Sequence, residues 1–298
     1  MNNNFDKYMK IAIMEAEQSL REGNHGFGAV IVKGNDIISQ THDTDVTDSD
    51  PTAHAELKAI RTASSVTGKD LSGSILISTH EPCPMCAGAI VWSKIKRVIY
   101  GYGISDAIAE GRERIAITCD EIFSRAGADI EVHKGVLKEE TSVLYNRLVR
   151  EEIKKLRNAG DDLLEKYNEE ATGRRIEWYK KNSGKILYNE GDLLEKAYRL
   201  LLAKLNIRDI DTPVIKREKD MIMFHSQNFC PTLEACKILN LDTRKICRLY
   251  NERATDGLIK QIDSGLCFTR NYEKLRPYTP YCEEMIIVSK KCHSTDLG

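Results

Sequence analysis

Apolar residues Phe5, Tyr8, Met9, Ala12, Ile13 and Ala16 recur at helical spacing, which predicts an amphipathic helix over Asp6 to Arg21 that ends at Gly23. Two short β-rich runs follow, Phe27 to Lys33 and Asp36 to Thr41, joined by the turn pair Gly34-Asn35. After a polar loop, Asp50-Pro51 reads as the N-cap and first position of a second helix that continues through Ala53 to Ala63. Ser74 to Thr79 and Arg97 to Tyr102 read as strands around a helix at Ala87 to Ile95. Asp120 to Arg125 reads as helix, and Asp129 to His133 as a last strand. Strands alternating with helices imply an α/β layer fold with helices on both faces of a five-stranded sheet.

From about Lys138 the pattern changes to long charged helices through Leu144, Leu148, Ile153 and Leu156, and the remainder is mainly helical in character. This shift predicts two domains, 1–150 and 151–298, with connections near Asn182-Ser183-Gly184 and Asp209 to Pro213. A net charge of -1, with 41% hydrophobic and 30% charged residues, describes a globular chain without whole-protein attraction to nucleic acid or anionic lipid. No stretch reaches the ~20 apolar residues a bilayer requires, and the N-terminal segment has no apolar signal region, so a cytoplasmic protein without a membrane partner is expected.

Nine cysteines include the close pair Cys83 and Cys86, which in a reducing compartment suggests metal binding or redox chemistry rather than a disulfide. The neighbours favour metal. His54-Ala55-Glu56 and Pro82-Cys83-Pro84-Met85-Cys86 each stand at the start of a helix, after a loop or a strand end. Cys83 and Cys86, three apart, share a face, the geometry for two thiolates on one ion. Residues 54 and 56 can share that target only if it lies off the helix N-terminus. Three protein ligands, His54, Cys83 and Cys86, leave the fourth tetrahedral position of a zinc ion for water, which marks a catalytic metal. Glu56 is then the spare carboxylate and the candidate catalytic residue. An H-x-E run followed by P-C-x-x-C is the pattern of the zinc deaminases, in which zinc hydroxide attacks the amidine carbon and the Glu carries the proton. The Ala55 backbone N–H is a candidate donor to the substrate.

Through these residues, together with Phe27-Gly28-Ala29-Val30, Asp50-Pro51-Thr52-Ala53 and Ala87-Gly88-Ala89-Ile90, the chain resembles the cytidine deaminase superfamily over about residues 5 to 150. Within it the chain resembles the branch containing guanine deaminases, yeast-type cytosine deaminases and tRNA adenosine deaminases. That resemblance implies a three-layer α/β/α core on a five-stranded mixed sheet, one zinc per subunit and a homodimer. It places Phe27 in the small-residue strand under the base. It also puts Asp43 where the branch usually has a base-recognising Asn, so a shifted substrate is expected, since an ionised Asp only accepts hydrogen bonds. Gly111-Arg112-Glu113-Arg114 stands where guanine enzymes tend to carry an acidic pair.

The expected function is hydrolytic deamination of a nucleobase, nucleoside or related amino-heterocycle. The alternatives are a tRNA adenosine deaminase acting on an anticodon loop, with RNA as partner, and a binding protein that keeps the zinc cage without catalysis. Lys94, Lys96, Arg97, Arg112 and Arg114 could contact phosphates or simply be solvated. In the second half, Cys230, Cys236, Cys247, Cys267, Cys282 and Cys292, with His225 and His293, lack the paired spacing of a zinc ribbon and read as buried thiols. The stretch Arg270 to Tyr278 could stack on bases or pack as a loop, and the half could serve substrate recognition, dimerisation or separate ligand binding.

Overall fold

The computed structural model describes residues 5–184 and 191–288; Cys292 and His293 lie outside them. The chain divides into two compact units, the first running to Ile153 and the second starting at Lys154. In the first unit the order is α1 (Asp6–Glu22), β1 (Gly28–Lys33), β2 (Asp36–His42), α2 (Ala55–Thr67), β3 (Ser74–His80) and α3 (Pro84–Trp92). It continues through β4 (Arg97–Tyr102), α4 (Ile104–Ala109), α5 (Cys119–Arg125), β5 (Glu131–Lys134), α6 (Lys138–Tyr145) and α7 (Arg147–Leu156), inside which the division falls.

The sheet order is β2-β1-β3-β4-β5. β1 pairs antiparallel with β2 and β3, whereas β3, β4 and β5 run parallel, so the sheet is mixed. Alternate side chains of β1 feed two separate cores. Ala29 and Ile31 pack with Ala55 and Ala59 of α2, Ile90 of α3 and Phe123 of α5. Val30 and Val32 pack with Tyr8, Met9 and Ala12 of α1. Central strands sandwiched in this way are apolar on both faces, which is why Gly28–Lys33 reads as a run rather than an alternation. The result is the three-layer α/β/α fold. Contact between α1 and β1 is close enough that a Cβ on Gly28 would sit 1.9 Å from the Ala12 carbonyl oxygen.

The second unit contains α8 (Asp161–Asn182), α9 (Leu193–Leu205), β6 (Val214–Arg217), β7 (Met221–Ser226), α10 (Pro231–Leu239), α11 (Thr243–Ile246), α12 (Arg253–Ile259), β8 (Leu266–Arg270) and β9 (Cys282–Val288). Between α11 and α12 the helix widens to i→i+5 bonding over Cys247–Glu252. Helices make up much of this unit, as its charged periodicity implies, and an antiparallel sheet of order β6-β7-β9-β8 accompanies them. Leu194, Leu201, Phe224, Leu258, Phe268 and Ile286 form its core. Buried Asn168 donates from Nδ2 to the Leu249 carbonyl at 2.8 Å and accepts the Ala254 N–H at 3.0 Å, which fastens α8 to the widened turn. No helix among the described residues is long and apolar enough to cross a membrane.

Candidate active site

The second helix begins later than its sequence suggests. Asp50 Oδ1 accepts hydrogen bonds from the Thr52 N–H at 2.8 Å and the Thr52 hydroxyl at 2.7 Å, which closes a local turn in place of a helix cap. The helix starts at Ala55, and His54 becomes its N-cap in extended conformation, φ -75° and ψ 149°. Cys83 has the same role on α3, at φ -67° and ψ 168°, with Pro84 as the first helical residue and Cys86 in the first turn. At an N-cap the backbone has not yet entered the helix, so His54 and Cys83 project off the helix ends rather than along their sides.

They meet there. His54 Nδ1 lies 3.5 Å from Cys83 Sγ and 3.6 Å from Cys86 Sγ, and the two sulfurs are 3.6 Å apart. Zinc bonds of about 2.0 Å to nitrogen and 2.3 Å to sulfur at tetrahedral angles require edges of roughly 3.5 Å and 3.8 Å, so the donor triangle fits that ion. The Cys86 thiol and then His54 hold Cys83 down to about 4, and the Cys83 sulfur raises His54 to about 9. The proton shared within this group is what a divalent cation displaces.

Glu56, in the first turn of α2, is 4% exposed. Its Oε1 accepts from the Ser78 hydroxyl at 3.0 Å, and its Oε2 lies 3.5 Å from Cys86 Sγ. Burial, and secondly the charge on Cys83, raises its pKa. Beside it opens a cavity of about 240 Å³ lined by Phe27, His54, Glu56, His80 and Cys83, with Arg114 and Asp45 among the polar groups of its wall.

The substrate contacts expected from the sequence separate here. Phe27 lines the cavity. Ala55 is buried in the core and is not among the lining residues; its carbonyl accepts from the Thr41 hydroxyl at 2.8 Å, and no hydrogen bond to its N–H is found among the described residues. Asp43 does not line the cavity. Its Oδ1 accepts from Ser19 Oγ at 2.6 Å and the Phe27 N–H at 2.7 Å, and its Oδ2 from the His25 N–H at 2.8 Å. The carboxylate is spent on holding the segment before β1. Asp45 takes the place at the wall, with His25 Nδ1 at 2.9 Å.

Residues 2–102 match the family model described as the cytidine and deoxycytidylate deaminase zinc-binding region. A guanine deaminase of Bacillus subtilis is 44% identical over 110 residues, 36% of this chain and 70% of that protein. The tRNA-specific adenosine deaminase of the same organism is 36% identical over 159 residues, 53% of this chain and 96% of that one. A probable cytosine deaminase of Schizosaccharomyces pombe is 33% identical over 141 residues, 46% and 86% of the two chains. The chain belongs to the cytidine and deoxycytidylate deaminase family. It is a zinc-dependent hydrolase acting on the C–N bond of nucleobases or nucleosides.

Two further groups of this deaminase escape a reading of its motifs. Glu81 is buried where β3 ends; its Oε2 accepts the Ile104 N–H at 2.9 Å and its Oε1 the Cys119 N–H at 3.0 Å. One carboxylate thereby ties the starts of α4 and α5 to the strand that leads into Cys83. His80 is also buried and lines the cavity, with Nδ1 on the Glu81 carbonyl at 3.0 Å. Burial pulls its pKa down to about 4, so the ring is neutral and Nδ1 is the donor to that carbonyl. Nε2 is left as an acceptor without a partner among the described residues. Glu81 opens the run Glu81 to Cys86 that carries the family resemblance, but nothing in that run assigns it a role, and His80 has only adjacency to the run.

Proposed function

We propose that the chain deaminates a free amino-heterocycle of base or nucleoside size, with His54, Cys83 and Cys86 as the zinc donors and Glu56 as the proton carrier. Support comes chiefly from one arrangement: a buried carboxyl that is not needed as a ligand, held by Ser78 beside the donor triangle and open to the cavity. Zinc held by these three side chains supplies Lewis acidity that makes water a competent nucleophile near neutral pH. Glu56 takes the first proton that water loses and delivers it to the ring nitrogen beside the reacting carbon, then takes the second from the hydroxyl newly bonded to that carbon and passes it to the departing amine. C–N is broken, C–O is formed, and ammonia leaves with the proton count balanced. Ala55 offers its first-turn N–H to the substrate, and Phe27, Ile104 and Ile115 give the ring apolar surface in the cavity wall.

A cavity of about 240 Å³ lies below the roughly 300–1,000 Å³ of drug-sized sites, a volume suited to one heterocycle. Three of the five basic residues near the Cys motif and after β4 are engaged by carboxylates. Lys94 pairs with Asp70 at 2.7 Å, Arg97 with Glu131 at 2.6 Å, and Arg112 lies 3.7 Å from Glu110. Zinc-loaded protein incubated with guanine, cytosine, adenine and their nucleosides is expected to release ammonia from at least one of them, and to leave adenosine in a tRNA transcript unchanged. Inosine formed in the transcript with a silent small-molecule panel would transfer the assignment to tRNA.

A further inference from the structure

The second unit has a cavity of its own, about 240 Å³, formed where β7 ends, α10 begins, the widened turn passes and β8 and β9 lie side by side. Its charge is unusual. Arg175, Arg270 and Arg276 all line it, against a single carboxylate, Glu284. Glu284 is already committed: its Oε1 accepts from Arg270 Nε at 2.7 Å, and its Oε2 from the Ser226 hydroxyl. Arg270 Nη1 is sealed from solvent and has no partner among the described residues.

Neither of the other guanidiniums has a carboxylate partner among the described residues. Arg175 donates from Nη1 to Thr255 Oγ1 at 2.6 Å, and burial lowers its pKa only to about 10, so it stays charged at neutral pH. Arg276 donates from Nη1 to the Asn228 carbonyl at 2.8 Å and from Nε to Cys282 Sγ at 3.4 Å. Burial raises both Cys230 and Cys247 and keeps these two thiols protonated, so they bring no negative charge to the wall. Glu252, the next carboxyl near Arg270, is engaged by the Tyr272 hydroxyl and is not part of the wall. The start of α10 adds the partial positive charge of a helix N-terminus.

Unpaired cations lining a cavity carry a desolvation cost that an entering anion removes, and a guanidinium fork matches the two oxygens of a carboxylate or phosphate. The remaining wall includes Leu205, Ile207 and Leu275. We propose that this cavity is a binding site for a small organic oxyanion, its carboxylate or phosphate on Arg175, Arg270 and Arg276 and its hydrocarbon body against these three apolar side chains. The wide i→i+5 turn, a feature frequent at functional sites, brings Cys247 and Asn251 to the same cavity. The site stands independently of the deaminase reading.

Calorimetric titration of the full chain with benzoate, phenyl phosphate and uncharged benzamide tests it. At least one of the two anions is expected to bind tenfold or more tightly than benzamide, and the stronger of the two identifies the head group. Arg276→Gln, at a half-buried position, should weaken that anion at least tenfold while ammonia release continues, and Arg175→Gln should do the same. Equal or absent binding of charged and neutral probes would overturn the proposal. So would wild-type anion affinity in folded Arg276→Gln and Arg175→Gln.

Discussion

Two cavities of about 240 Å³, one in each unit, differ in the sign of what lines them. The first presents Asp45, Glu56 and Glu81 around a His and Cys donor set, with Arg114 at its wall. The second presents three guanidiniums and one neutralised carboxylate. Volume alone would treat them alike. The buried charges separate them: one spare carboxyl, Glu56, beside sulfur and imidazole donors suits a cation and can move protons, whereas surplus guanidiniums call for an anion and cannot release a proton near neutral pH.

The largest effect expected on one side of this contrast is that of Glu56→Gln. Removing the proton carrier should lower kcat by roughly 10²–10⁴-fold, with zinc content by elemental analysis unchanged and benzoate titration of the second cavity unaffected. Gly28→Ala attacks the scaffold of the first cavity alone. A Cβ 1.9 Å from the Ala12 oxygen forces α1 off β1, and the denaturation midpoint should drop by the equivalent of about 3 kcal/mol.

A subtler change tests whether the lone guanidinium of the first cavity handles substrate. Arg114 is half-buried at the wall, and Arg114→Ala should raise KM by about tenfold with a smaller change in kcat, read from initial rates of ammonia release. The smallest effect concerns pH. His42 joins β2 to α1 through Glu15 at 2.7 Å and Glu22 at 3.0 Å, and hydrogen bonding to Glu15 raises its pKa above 6.5. A raised histidine stabilises the fold fully below its unfolded pKa, and that stabilisation is lost as pH climbs through the raised folded value. His42→Gln should therefore cost about 0.5–1 kcal/mol in denaturant melts near pH 5 and little at pH 9.

Local chemistry was readable in the chain; the satisfaction of buried groups was not. His54, Glu56, Cys83 and Cys86 stand in short runs whose spacing already specifies shared direction at a helix start. The onset of α2 was misplaced because Asp50 favours both a helix cap and a turn, and only the bonds to Thr52 decide between them. Asp43 looked available to a base because nothing local shows that Ser19, His25 and Phe27 occupy its oxygens. In the second unit, Met221-Ile222-Met223-Phe224 is apolar at successive positions, which masks the alternating burial of β7. Arg175 and Arg270 are distant in sequence, so their shared cavity appears only once the chain is folded.

Zinc stoichiometry measured together with ammonia release, on wild-type and Glu56→Gln protein, bears most directly on the central assignment. One zinc per chain in both proteins is expected, with ammonia from a base or nucleoside in the wild type alone. Undiminished turnover by Glu56→Gln, or a zinc-loaded wild type inert toward every base, nucleoside and tRNA offered, would contradict it.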